Sequence, residues 1–163
     1  MNTNAMSAVE LPTAPCRKNE DQLIESALQI LDRRLFTRGP TLQSPGEVSQ
    51  YLKLQLAAMD HEVFGVIYLD SAHRAITFEV LFHGSVNAAV VHPRQVIKRA
   101  LTHNAAAVIV AHNHPSGCST PSQADRHLTA QLKKAMALVD VELLDHFIIA
   151  AGAPLSLAEY GWL

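Results

Sequence analysis

The run Ala106-Ala-Val-Ile-Val-Ala111 constrains the fold more than any other stretch of this chain. Six apolar residues in succession show neither the 3.6-residue stripe of a surface helix nor the alternation of a half-exposed strand. Such a run is best satisfied as a central strand covered on both faces. Val63-Phe-Gly-Val-Ile-Tyr-Leu69 is a second β-branched and aromatic run too short for a helix. It is followed by turn chemistry at Asp70-Ser-Ala-His-Arg74 and a partner strand over about 75–83, which together predict a hairpin. A last strand is predicted over Val141–Ala150, with a short segment from Leu155 to Tyr160 completing the chain.

Helices are expected between these strands. Leu23, Ile24, Ala27, Leu28, Leu31 and Leu35 follow the i, i+3, i+4, i+7 template over about 19–35, and Gly39-Pro40 ends the element. Ser44-Pro-Gly-Glu47 reads as a capping box opening a second helix through about Ala58, with Val48, Leu52, Leu56 and Met59 on its apolar side. Pro93 opens a third helix through about His103, with Val96, Ile97, Ala100 and Leu101 on one face. Pro121 or Ser122 starts a fourth, about 121–138, with Leu128, Leu132, Ala135 and Met136 inward. The expected fold class is α/β, a mixed β-sheet sandwiched by helices. Residues 1–18 lack periodicity and read as a mobile N-terminal tail, 19–43 as an N-terminal helix and linker, and 44–163 as the main domain.

Composition excludes several function classes. Thirteen Lys and Arg against fifteen Asp and Glu leave a net charge of −2, without the basic footprint that phosphate-backbone binding requires. Nucleic acid is therefore unsupported as a main partner; a local patch would fall at Arg94, Lys98 and Arg99. No apolar run reaches the length of a membrane span, and Cys16 and Cys118 make no disulfide framework, so a cytoplasmic protein is expected. Oligomeric state leaves no trace in the sequence.

Chemistry concentrates in His112-Asn-His-Pro-Ser-Gly-Cys-Ser-Thr-Pro-Ser122-Gln-Ala-Asp125. Just past the end of a buried strand, two histidines two residues apart point to the same side, which suits two imidazoles on one metal. Asp125, in the first turn of the next helix, can aim back at them. A His-x-His pair with a carboxylate supplies three N/O ligands and leaves a position for water, as in a catalytic zinc site. Zn2+ is the expected cofactor. Such a site needs a carboxylate to move protons, and the candidates are Glu62 and Glu79. Ser122, at a helix N-terminus, is a candidate to steady an oxyanion. Cys118 has a soft ligand atom within reach of the metal, although an exposed loop thiol is the simpler reading. Asp145-His146 offers a partner to orient a ligand imidazole, or a buried pair holding strands together. The remaining histidines, at 61, 73, 83, 92, 103 and 127, read as turn, cap or surface residues.

His112-x-His114-x7-Ser122-x2-Asp125 resembles the JAMM (MPN+) metalloprotease signature. Val91-His-Pro-Arg-Gln95, Asn104-Ala-Ala-Ala107, His112-Asn-His-Pro-Ser-Gly117 and Leu144-Asp-His-Phe-Ile148 look like the RadC family of bacterial proteins, a resemblance covering about residues 45–163. It implies a JAMM/MPN (cytidine-deaminase-like) architecture, bound zinc and metal-dependent peptide or isopeptide cleavage, with a peptide or protein as the substrate. It also favours Glu62, in Asp60-His-Glu62-Val-Phe-Gly, over Glu79 as the base. The family name carries an association with DNA repair. A non-catalytic, metal-braced scaffold or DNA-repair-associated factor is the alternative from a different class. Asn113 stands where JAMM proteases usually have Ser or Thr, a departure expected to bear on how the loop meets a substrate carbonyl.

Overall fold

The computed structural model describes residues 17–36, 45–84 and 90–163. The expected tail, except for its last two residues, and the Ser44 cap lie outside the described residues. The elements follow in the order α1 (Arg17–Phe36), α2 (Pro45–Leu56), β1 (Val63–Leu69), β2 (Ala75–His83), α3 (Pro93–Thr102), β3 (Ala107–Asn113), α4 (Gln123–Ala137), β4 (Glu142–Ile149) and β5 (Leu155–Ser156). Helix α1 begins at Arg17, so residues 17 and 18 are helical and do not belong to a tail.

One five-stranded sheet, in the order β2-β1-β3-β4-β5, organises the fold. Strands β1 and β2 form the expected antiparallel hairpin, and β3 pairs antiparallel with β1 and parallel with β4. The β3–α4–β4 crossover makes the sheet mixed, because parallel neighbours need a long connection and here a helix provides it.

The period-2 alternation of strand side chains divides the core in two. Val63, Ile67, Leu69, Ala107, Ile109, Ala111, Phe147 and Ile149 face α2, whose Val48, Tyr51, Leu52 and Leu56 are buried against them. On the other face Phe64, Val66, Tyr68, Val108 and Val110 pack on Val96 and Ala100 of α3 and on Leu132 and Met136 of α4. Central strands covered on both sides explain why β1 and β3 are buried at every position. Leu101, expected on the apolar face of α3, is instead exposed. Gly65 is required where β1 passes β2: a Cβ there would lie 2.6 Å from the Phe78 ring. None of the described helices is long and apolar enough to cross a membrane.

Candidate metal centre

The site forms where β3 ends against the N-terminus of α4. Strand β3 runs two residues further than the sequence suggested, so His112 lies within the strand rather than past it. The His114 N–H donates to the Ile149 carbonyl (2.8 Å), which keeps the backbone extended and puts His114 on the same face as His112. The chain then turns sharply, with Gly117 N–H donating to the His114 carbonyl at 2.9 Å and Gly117 at φ +79°, a region glycine enters without strain. Across the gap, α4 starts at a full capping box. The Ser122 hydroxyl accepts from the Asp125 N–H (3.1 Å), while Asp125 Oδ2 accepts from the Ser122 N–H and hydroxyl, both at 2.7 Å. This cap fixes the Asp125 rotamer and leaves Oδ1 facing the histidines.

Three ligand-type atoms converge there. His112 Nε2 lies 2.9 Å from His114 Nε2 and 3.1 Å from Asp125 Oδ1, and His114 Nε2 lies 3.7 Å from Asp125 Oδ2. Among the described residues this is the one group of three His, Cys, Asp or Glu side chains placed to hold a metal ion. His112 and Asp125 are buried, and His114 is partly exposed.

The hydrogen-bond network assigns the imidazole protons. Thr129 Oγ1 donates to the Asp125 backbone carbonyl (2.6 Å), so toward His146 Nδ1, 2.7 Å away, it can only accept. His146 therefore carries its proton on Nδ1 and offers Nε2 as an acceptor to His112 Nδ1 at 2.8 Å. His112 is thereby held as the Nδ1–H tautomer, with the Nε2 lone pair directed into the site. His114 Nδ1 donates to the Cys118 carbonyl (2.7 Å), which leaves its Nε2 lone pair facing the same point. Two nitrogen lone pairs and a carboxylate facing one another are stable only with positive charge between them, and a metal cation serves all three at once. The residues present fit such an ion.

Without a bound cation, a protonated His112 supplies the positive charge that Asp125 faces, the same charge a bound metal ion would supply to a neutral His112. Burial pushes the Asp125 carboxyl up, but the hydrogen bond and charge of His112 and the Ser122 cap more than offset it and hold the group well below the usual carboxylate range. His146, fully buried, is driven strongly toward the neutral form by desolvation and then by the neighbouring His112. A neutral His146 is what the Thr129–His146–His112 chain requires.

The two candidate bases differ in their surroundings. Phe64 pairs with His112 as the outermost pair of the antiparallel β1–β3 ladder, and Glu62 lies just before β1, one residue beyond its first residue Val63. Glu79 pairs with Val66 further along the sheet, and both its oxygens are engaged by Arg99 and His103. Arg99 is accordingly no free surface cation. Ser122 is brought to the centre, but its hydroxyl proton is engaged by Asp125. Cys118 is an exposed free thiol, and it is its carbonyl that touches His114. His146 is the imidazole-orienting partner, whereas Asp145 turns away to cap Ser156 and Ala158. Asn113 does not bear on a substrate directly, because its side chain is buried on the opposite sheet face, bonded to residues 59–63. Thr129 escaped the sequence reading, although a polar residue four positions after Asp125 on an otherwise apolar helix face was the available signal.

A mixed sheet between helix layers, with His-x-His leaving a central strand and Asp on the following helix, defines a JAB/MPN-type domain. The family model described as a RadC-like JAB domain matches residues 42–162, and the chain belongs to that family. It is 56% identical over 141 residues to a UPF0758 protein of Stutzerimonas stutzeri, covering 86% of this chain and 62% of that one. A UPF0758 protein of Azotobacter vinelandii is 57% identical over 143 residues (86% of this chain, 64% of that one), and one of Xanthomonas campestris 49% over 155 residues (93% and 66%). The chain thus spans a little under two-thirds of the length of these relatives.

Proposed function

We propose that the chain is a zinc-dependent amide hydrolase of the JAMM type, acting on a peptide or isopeptide bond. The observation that carries this reading is the convergence of His112 Nε2, His114 Nε2 and Asp125 Oδ1, each oriented by its own hydrogen-bond partner. Three N/O donors with the remaining coordination left to solvent suit a catalytic rather than a structural zinc. Zinc held by His112, His114 and Asp125 would supply Lewis acidity, polarising a substrate carbonyl and making water acidic enough to lose a proton near neutral pH.

The chain's own residues handle the protons. The Glu62 carboxylate takes the proton from the attacking water as its oxygen adds to the carbonyl carbon. It then returns that proton to the amide nitrogen as the C–N bond breaks, giving a carboxylic acid and an amine. Ser122 is the donor for the developing oxyanion, which requires its hydroxyl proton to turn from Asp125 Oδ2 to the substrate. Amide carbonyls suit a single metal, whereas phosphoryl transfer usually recruits paired metals and cationic clamps. Of the cations near the histidine strand in sequence, Arg99 is bound to Glu79 and Arg126 lies over the Trp162 ring.

Glu62→Gln tests the reading. With a quenched-fluorescence peptide and isopeptide library, the variant should retain one zinc per chain and lose hydrolysis by at least 100-fold. A zinc-loaded protein that cleaves no library member, or a variant as active as the parent, overturns it.

A further inference from the structure

Asn113 stands between the two histidine ligands, yet its side chain belongs to the other face of the sheet. It is almost fully buried. The β1–β3 ladder ends at the pair Phe64↔His112. Beyond it the Asn113 carboxamide takes over: Oδ1 accepts from the Val63 N–H at 2.7 Å, and Nδ2 donates to the His61 carbonyl at 3.0 Å and to the Met59 carbonyl at 3.4 Å. The amide orientation is unambiguous, because the flipped form would set its oxygen against two carbonyls and its NH2 against an N–H.

The His61 carbonyl and the Val63 N–H belong to the two peptide groups on either side of Glu62. One side chain therefore grips the backbone immediately before and after this residue. On its far side the Glu62 carbonyl accepts from the Gly84 N–H at 2.7 Å, so the segment is held from both flanks. Because Asn113 is covalently placed between His112 and His114, the clasp ties the position of Glu62 to the strand that presents both imidazoles.

We infer that Asn113 is the positioning residue for Glu62: it sets the distance between the base and the metal ligands without touching substrate or metal. The inference rests on the hydrolase reading for the role of Glu62, and on the hydrogen bonds alone for the clasp. It assigns a reason for a carboxamide here. A hydroxyl side chain is too short to hold an acceptor and two donor contacts at once, and an aliphatic one holds none.

The test uses Asn113→Ala in the full chain. In zinc-free protein, hydrogen exchange at the Val63 amide should accelerate at least 10-fold relative to the Val66 and Ile67 amides in mid-strand. In zinc-loaded protein the metal stoichiometry should stay at one, while kcat on the best library peptide falls about 10- to 100-fold with KM nearly unchanged. In a Glu62→Gln background the same change should have no further effect on kcat. If Asn113→Ala does not fold, Asn113→Ser is read by the same ratios. Unaccelerated exchange at Val63 overturns the clasp. Accelerated exchange with undiminished kcat, or loss of zinc together with kcat, overturns the positioning role while leaving the hydrolase reading intact. Absence of hydrolysis by the parent protein sinks that reading and the positioning role with it, and the exchange result still decides the clasp.

Discussion

Thr129→Val tests the proton chain behind the metal centre with almost no change in shape. Thr129 and His146 are fully buried, so the isosteric swap leaves no cavity and admits no water. It removes the acceptor for the His146 Nδ1–H. The variant then has two choices. It can keep the original tautomers and bear an unpaired buried N–H, which costs about 1–3 kcal/mol. Alternatively, His146 moves its proton to Nε2, and His112 must accept through Nδ1 and place its own proton on Nε2, the atom meant for the metal. If the metal-free variant takes the second arrangement, binding an ion forces it back to the first, and zinc affinity falls by the difference between the two, at most that 1–3 kcal/mol or about 5- to 150-fold. Loss of a partner behind a ligand histidine typically weakens metal binding by about 10- to 100-fold, within this range. Competition titration against a zinc chelator at pH 7 measures the effect, and Thr129→Ser, which keeps the hydroxyl, should restore most of it. An affinity for Thr129→Val within twofold of the parent would refute the tautomer argument.

Two further outcomes follow from the same geometry. Ser122→Ala removes the cap of α4 and should cost about 1 kcal/mol, lowering Tm by about 2–4 °C, while zinc is retained and kcat drops roughly 100-fold; unchanged kcat would restrict Ser122 to holding Asp125. Glu79 is held below the usual carboxylate range, first by its hydrogen bond to Arg99. A depressed carboxyl contributes stability above its unfolded pKa of about 4.3 that is lost as pH falls through the lower folded value, so Glu79→Gln should destabilise by about 1 kcal/mol at pH 7 and by much less at pH 3 in urea titrations. A variant equally destabilised at both values would contradict this.

The sequence made the sheet legible because β1 and β3 are buried on both faces and so read as unbroken apolar runs, and because turn chemistry brackets the hairpin. The metal ligands were legible because two of them share one strand face and the third opens a helix with its own cap. Other features depend on contacts between segments distant in the chain. Local pattern alone did not separate Glu62 from Glu79; the family resemblance favoured Glu62, and the occupation of Glu79 by Arg99 and His103 depends on contacts 20 and 24 residues away. His146 could be suspected as an orienting partner, but its link to Thr129 joins β4 to α4 across 17 residues. Strand β3 outran its predicted end because polar His112 and Asn113 interrupt the apolar run, yet each finds buried partners that let the ladder continue. Asn113 read as part of the loop for the same reason, its buried partners lying 50 or more residues earlier in the chain.

His112, His114 and Asp125 are placed to hold one metal ion together. Zinc titration of the purified, metal-stripped chain, monitored by competition with a chelator, tests it most directly when run alongside Asp125→Ala. Saturation at one zinc per chain is expected for the parent, with a loss of at least 100-fold in affinity for the variant. Absence of saturable binding in the parent, or equal affinity in the two proteins, contradicts it.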